Sequence, residues 1–286
     1  MIRTPPGWGA DMLTQAYQSI TTAGTAAASD WPERGTTMPT VRGIGLADLR
    51  WALERGLEDF GASRTDVIFL CLVYPLVGLL LARVASGYDM LPLVFPLASG
   101  FALIGPLAAV GLNEMSRRRE QGQAAGLAAA FGVFRSPAIR GIALLGGILI
   151  LTFLLWLVLS NAIYDLTLGP RPPASLSSFA HDVVFTPAGR TMALAGIGMG
   201  FVLAVMAMTI SVVSFPMLLD RNARLDTAIS TSARVVARNP MTMAVWGLIV
   251  AASLALASIP LLLGLIVVMP VLGHATWHLY RRAVPG

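Results

Sequence analysis

The chain has 286 residues, of which 56% are hydrophobic and 12% charged, and it carries a net charge of +5. Mean hydropathy is +0.72 and the pI is near 10.1. Soluble domains carry roughly 25% charged residues, so this composition excludes an ordinary soluble fold.

The positive charge could suggest nucleic acid in a soluble protein. Here it clusters at the edges of apolar runs, where arginine orients helices and meets anionic headgroups, so no nucleic-acid partner is expected. All twenty basic residues are Arg, which excludes Schiff-base catalysis and a phosphate-loop lysine. Cys71 is the single cysteine and lies in an apolar run, so no internal disulfide or cysteine-based metal cluster can form.

Residues 1–40 are rich in Thr, Ala, Gly and Pro and lack hydrophobic periodicity, which predicts a disordered cytoplasmic tail. No apolar run follows Arg3, so a secretory signal is not expected there. After Gly45, the residues Leu46, Leu49, Leu53, Leu57 and Phe60 recur at helical spacing. Asp48, Arg50, Glu54, Arg55, Glu58 and Asp59 fill the other side, with Arg50–Glu54 and Arg55–Asp59 placed to pair four residues apart. Such a helix is too polar to span and is expected to lie at the membrane surface or to pack on neighbouring inner segments.

A bilayer core of roughly 30 Å takes about 20 helical residues. On that measure the apolar runs predict six spans, at about 67–84, 91–112, 141–164, 191–219, 241–257 and 261–279. Pro75 is an expected kink in the first, and Pro96 and Pro106 bend the second, whose freed carbonyls should find partners inside the bundle. Pro260 divides the last forty apolar residues into a hairpin. The 165–189 segment, with Pro170, Pro172, Pro173, His181 and Asp182, is read as an outer loop capping the bundle.

Arginine placement orients this bundle. The segment before the first span holds four, the two inner connectors five and four, and the C-terminal tail two, against three on the other side. The positive-inside rule then puts both termini in the cytoplasm of a bacterial inner membrane. Arg64-Thr65-Asp66, Arg135-Ser136-Pro137 and Arg238-Asn239-Pro240 each close an inner segment just before a span. They suggest three repeats, each a surface helix followed by a helical hairpin. The expected fold is thus all-α: a polytopic membrane bundle over residues 41–284, with six transmembrane helices as three hairpins.

The runs LADLRWALERGLEDFGASRTD (Leu46–Asp66), GLNEMSRRRE (Gly111–Glu120) and GHATWHLYRR (Gly273–Arg282) resemble an uncharacterised bacterial family, domain of unknown function 2189, predicted integral membrane proteins. The likeness extends over about residues 41–284. It implies membrane integration and no particular activity. Some relatives carry the label of cytochrome c oxidase subunit I. A haem–copper core needs several histidines on different helices; this chain has three, two of them on one helix, and cannot be that subunit.

His274 and His278 are four apart, on one face at the inner end of the last span. Such a pair can hold one Zn or Cu from one side, and Glu114, at the inner end of the second span, is the candidate third ligand. The alternative is that both histidines hydrogen-bond between helices, with Trp277 and Tyr280 as headgroup-level anchors. Gly196 and Gly200 suit close helix packing better than a nucleotide fingerprint. No catalytic constellation is legible and no cofactor is expected. The preferred function is a non-enzymatic scaffold or accessory protein, possibly beside a respiratory complex, in contact with the lipid bilayer and with a membrane-protein partner. A small-molecule or lipid transporter is the alternative, and a metal-dependent membrane enzyme using His274, His278 and Glu114 stands third.

Overall fold

The computed structural model describes residues 38–63, 91–170, 173–260 and 262–285, together with 66–68, 72, 76, 78 and 83. The expected tail lies outside the described residues, as do most of the first expected span, Cys71 and Pro75.

Every regular element among the described residues is helical. In chain order these are α1 (Leu46–Ala62), α2 (Val94–Ala108), α3 (Val110–Glu120), α4 (Leu127–Gly132), α5 (Ile139–Thr167), α6 (Leu176–Phe185), α7 (Pro187–Ser211), α8 (Ser214–Arg221), α9 (Leu225–Arg238), α10 (Pro240–Ser258) and α11 (Leu265–Ala283). Two short 3₁₀ turns precede α2 and follow α4.

Four stretches are long and apolar enough to cross a bilayer: Val94–Glu120, Ile139–Thr167, Pro187–Arg221 and Pro240–Ser258. They contain the second to fifth expected spans. The sixth expected span corresponds to α11, which is not among them: it starts later than expected and ends on two histidines and two arginines. At 1.5 Å per residue, the 35 residues of Pro187–Arg221 reach about 50 Å, longer than a roughly 30 Å core requires. The break at Val212-Val213 has a local cause. Pro216 lacks an N–H, and its ring crowds the carbonyl four residues earlier, at Val212.

The apolar sides of α5, α7 and α10 are exposed, with Leu151, Val158, Leu194, Phe201 and Leu248 each more than half accessible. In a bilayer these are lipid contacts. Inside, α2, α5 and α7 pack together. Gly100 permits the α2–α5 approach, because a Cβ there would overlap the ring of Phe153. The Trp156 indole donates to the Pro96 carbonyl at 3.1 Å, which gives one carbonyl of α2 a partner on α5. Gly200 faces Trp156, whereas Gly196 has open space beside it, so only one of the paired glycines serves close packing.

One end of the bundle packs differently. Segments α3, α8 and α11 contact one another, and α1 lies along α11. The two run antiparallel: the Arg42 N–H donates to the Ala283 carbonyl at 2.8 Å, while Gly56 lies against Val271 and Ala275. Two joints latch distant helix starts. Asn239 Oδ1 accepts from the Ile44 N–H at 2.8 Å and Thr242 donates to the Ile44 carbonyl at 2.9 Å, just before α1. Asp66 Oδ2 accepts from the Leu127 N–H at 3.1 Å, at the first residue of α4.

The buried face of α1 takes in only part of the expected stripe. Leu49, Ala52, Gly56, Asp59 and Phe60 are buried, while Leu46 and Leu57 are 61% and 57% exposed. A Cβ on Gly56 would come within 2.7 Å of the Ala275 nitrogen and the Val271 carbonyl. Close backbone approach therefore selects the small-residue face, and Asp59 is carried inward with it. Arg50 pairs with Glu54 as expected, at 2.8 Å, but Arg55 pairs with Glu58, at 2.7 Å, instead of Asp59.

Candidate functional site

The residues singled out for chemistry gather where α1, α3 and α11 meet. Asp59, 7% exposed, is the centre. Its Oδ2 accepts from Ser116 Oγ at 2.5 Å and from His278 Nε2 at 2.8 Å. Its Oδ1 lies 3.0 Å from the Arg119 guanidinium, which also donates to the Glu58 carbonyl at 2.8 Å. Burial by itself would raise the Asp59 pKa. The hydrogen bonds from His278 and Ser116, with the nearby histidine charges, outweigh that and hold it below its ordinary value.

His274 Nδ1 sits 2.8 Å from Ser116 Oγ. A serine hydroxyl has one hydrogen, and in this arrangement it points at Asp59. His274 must then donate from Nδ1, which leaves its Nε2 as a bare acceptor. That atom is buried without a hydrogen-bond partner. The chain of contacts runs His278–Asp59–Ser116–His274 and crosses three helices.

Glu114 belongs to another set of contacts. Its carboxylate takes Arg117 at 2.7 and 2.9 Å and Arg118 at 2.7 Å, all on its own helix. The three residues read as a candidate metal set are thus held in two separate networks: the histidines with Asp59 and Ser116, Glu114 with arginines. Among the described residues, no group of three or more His, Cys, Asp or Glu is arranged to hold a metal ion.

Trp277 and Tyr280 are 1% and 0% exposed, so they are interior residues and not headgroup anchors. The Trp277 indole donates to Glu120 at 2.9 Å, tying α11 to α3. Tyr280 donates to Asp220 at 2.6 Å and accepts from Arg221 at 3.0 Å, tying α11 to α8. Arg281 reaches both Glu120 and Asp220, at 3.1 and 3.4 Å. On the α1 side, Arg282 stacks 4.1 Å from the Trp51 ring centroid, and Trp51 meets His278 edge-on at 5.7 Å.

Sequence reasoning found the histidines but missed Asp59, Ser116, Glu120 and Asp220. Each had a bland local explanation as a surface charge or a polar helix end. The available signal was the i, i+4 pair His274/His278 in a neutral stretch, which needed polar partners from elsewhere. Three hydroxyls of the spans are engaged locally: Thr152, Thr209 and Ser211 each donate to the carbonyl four residues back, at 2.9, 2.7 and 2.6 Å.

These features define a polytopic α-helical membrane protein whose polar chemistry is gathered at one end of its bundle. Residues 94–220 match the family described as "Predicted integral membrane protein (DUF2189)". The family resemblance is thus shown over that stretch, which is under half of the chain. It includes GLNEMSRRRE at Gly111–Glu120, while the Leu46–Asp66 and Gly273–Arg282 runs lie outside it. No curated protein and no solved structure matches the chain.

Proposed function

We propose that this chain is a non-enzymatic scaffold or accessory protein of the bacterial inner membrane, holding a membrane-protein partner from a rigid cytoplasmic hub. One observation carries this reading. Apart from His274 Nε2, which is buried, the polar side chains at the candidate site are engaged with one another across α1, α3, α8 and α11, so they brace helices together. The arginine distribution supports both termini in the cytoplasm and six spans.

A threefold internal repeat fits the hub. Each of α11, α3 and α8 ends an apolar segment on the inner side, and each carries a surface helix: α1, α4 and α9 respectively. The joint at Asn239 latches the start of α1, and the joint at Asp66 latches the start of α4.

The test is affinity purification of the tagged full chain from native membranes in mild detergent, beside flux assays in proteoliposomes. A stoichiometric membrane-protein partner and no flux are expected. Solute or lipid flux from the chain alone would replace the scaffold with a transporter. One Zn or Cu per chain, lost in His274→Ala, would replace it with a metal-dependent enzyme. Reporter fusions after Arg119, Arg224 and Arg282 should all read cytoplasm; a periplasmic reading after Arg282 would remove the sixth span.

A further inference from the structure

The segment expected as a Pro-rich outer loop contains a ten-residue helix, α6, at the end of the bundle opposite the hub. Local chemistry builds it. Ser175 caps its start, accepting from the Ser178 N–H at 3.1 Å while Ser178 Oγ accepts from the Ser175 N–H at 3.1 Å. Thr186 ends it and begins α7, accepting from the Gly189 N–H at 3.0 Å and donating to the Asp182 carbonyl at 2.6 Å. Gly189 makes the sharp corner possible, because a Cβ there would overlap the Asp182 carbonyl. Phe179 packs against Tyr164 of α5, with ring centroids 6.2 Å apart.

With those contacts fixing one side, the other side is apolar and bare. Leu176, Ala180 and Val184 are exposed at i, i+4 and i+8, with Leu176 at 66% and Val184 at 57%. Ser177 and His181 form the adjacent polar stripe. The spans that α6 joins expose apolar residues too: Leu166 at the end of α5 is 86% exposed and Leu194 on α7 is 74% exposed.

We propose that α6 is an interfacial anchor, seated in the outer leaflet of the bilayer through Leu176, Ala180 and Val184. Its occupant is lipid, because both spans that it joins also expose apolar residues near their connection to it, Leu166 and Leu194. The helix holds no arginine and one carboxylate, Asp182, so it is held by apolar burial and not by attraction to anionic headgroups. The corner at Gly189 fixes α6 against the first turn of α7 and so sets the depth of that span.

Spin labels test this in the full chain with Cys71→Ala, reconstituted in phosphatidylcholine vesicles. Single variants Ser177→Cys, Ala180→Cys, His181→Cys and Val184→Cys place labels on exposed positions, and Leu194→Cys gives an in-bilayer reference. Collisions with oxygen should dominate at 180 and 184, and collisions with a water-soluble nickel chelate at 177 and 181. Nickel dominance at all four positions would overturn the proposal by placing α6 in water. Shielding of 180 and 184 from both reagents would overturn it in favour of a protein cover.

Discussion

The hub and the lipid-facing spans use the same residue types in opposite ways. In the span windows of α5 and α10, 33% and 22% of residues are buried. There Thr152 and Ser258 donate to carbonyls of their own helices, while Thr242, in the first turn of α10, crosses to Ile44. In α11, twelve of nineteen residues are buried, and its polar side chains reach across to α1, α3 and α8. Lipid tails are as apolar as leucine, so burial against a neighbour gains little inside the bilayer. At the water boundary, burial expels water, and charge-assisted hydrogen bonds gain strength where solvent is excluded. The hub is therefore where the protein's stability concentrates, and the spans answer mainly to the membrane.

The sharpest way to break this contrast is Asp59→Ala. It leaves His278, Ser116 and Arg119 without their shared acceptor, and removing one partner of a buried pair costs about 3–5 kcal/mol. The low end applies, since the Arg119 side chain is 40% exposed. A large fall in the thermal unfolding midpoint of the detergent-solubilised protein is expected; an unchanged midpoint would show that the network does not hold the hub. Next in size is Gly56→Leu, which must push α1 off α11 and should cost about 1–3 kcal/mol by overpacking. Its signature is faster proteolysis of α1 in an otherwise folded protein.

Smaller again is Trp277→Phe. It keeps the ring but removes the donor to Glu120, for about 1–2 kcal/mol read from the same melting curve. At the bottom, Thr209→Val in α7 and Arg50→Ala in α1 should leave the midpoint unchanged: one hydroxyl serves its own helix, and one pair sits in water. A loss at Thr209 comparable to that at Trp277 would erase the distinction between the regions.

Acidity sharpens the comparison. The folded pKa of Asp59 lies below its ordinary 3.8. Its contribution is therefore fully present above pH 3.8 and is lost as the pH falls through the folded value. The gap in unfolding midpoint between the native chain and Asp59→Asn should stay constant near neutrality and narrow only in that acid range. A gap that closes between pH 5 and 7 would show that Asp59 does not govern the hub's acid response.

The sequence by itself determined the membrane class, the helical content and four of the spans, because a bilayer imposes length and apolarity on any segment that crosses it. It also located the histidine pair and the amphipathic character of α1. Tertiary structure decided what local periodicity cannot encode. Close approach at Gly56 turned Asp59 inward and left Leu57 outside; the buried carboxylate then drew Ser116 and His278 to it, while Glu114 stayed with Arg117 and Arg118. The α6 helix was hidden among prolines, since ten residues with serine caps give a weak periodic signal, and the Thr186–Gly189 corner that fixes it is a contact between two helices. Periodicity reports which residues are apolar. Which face is buried depends on how near the next backbone can come.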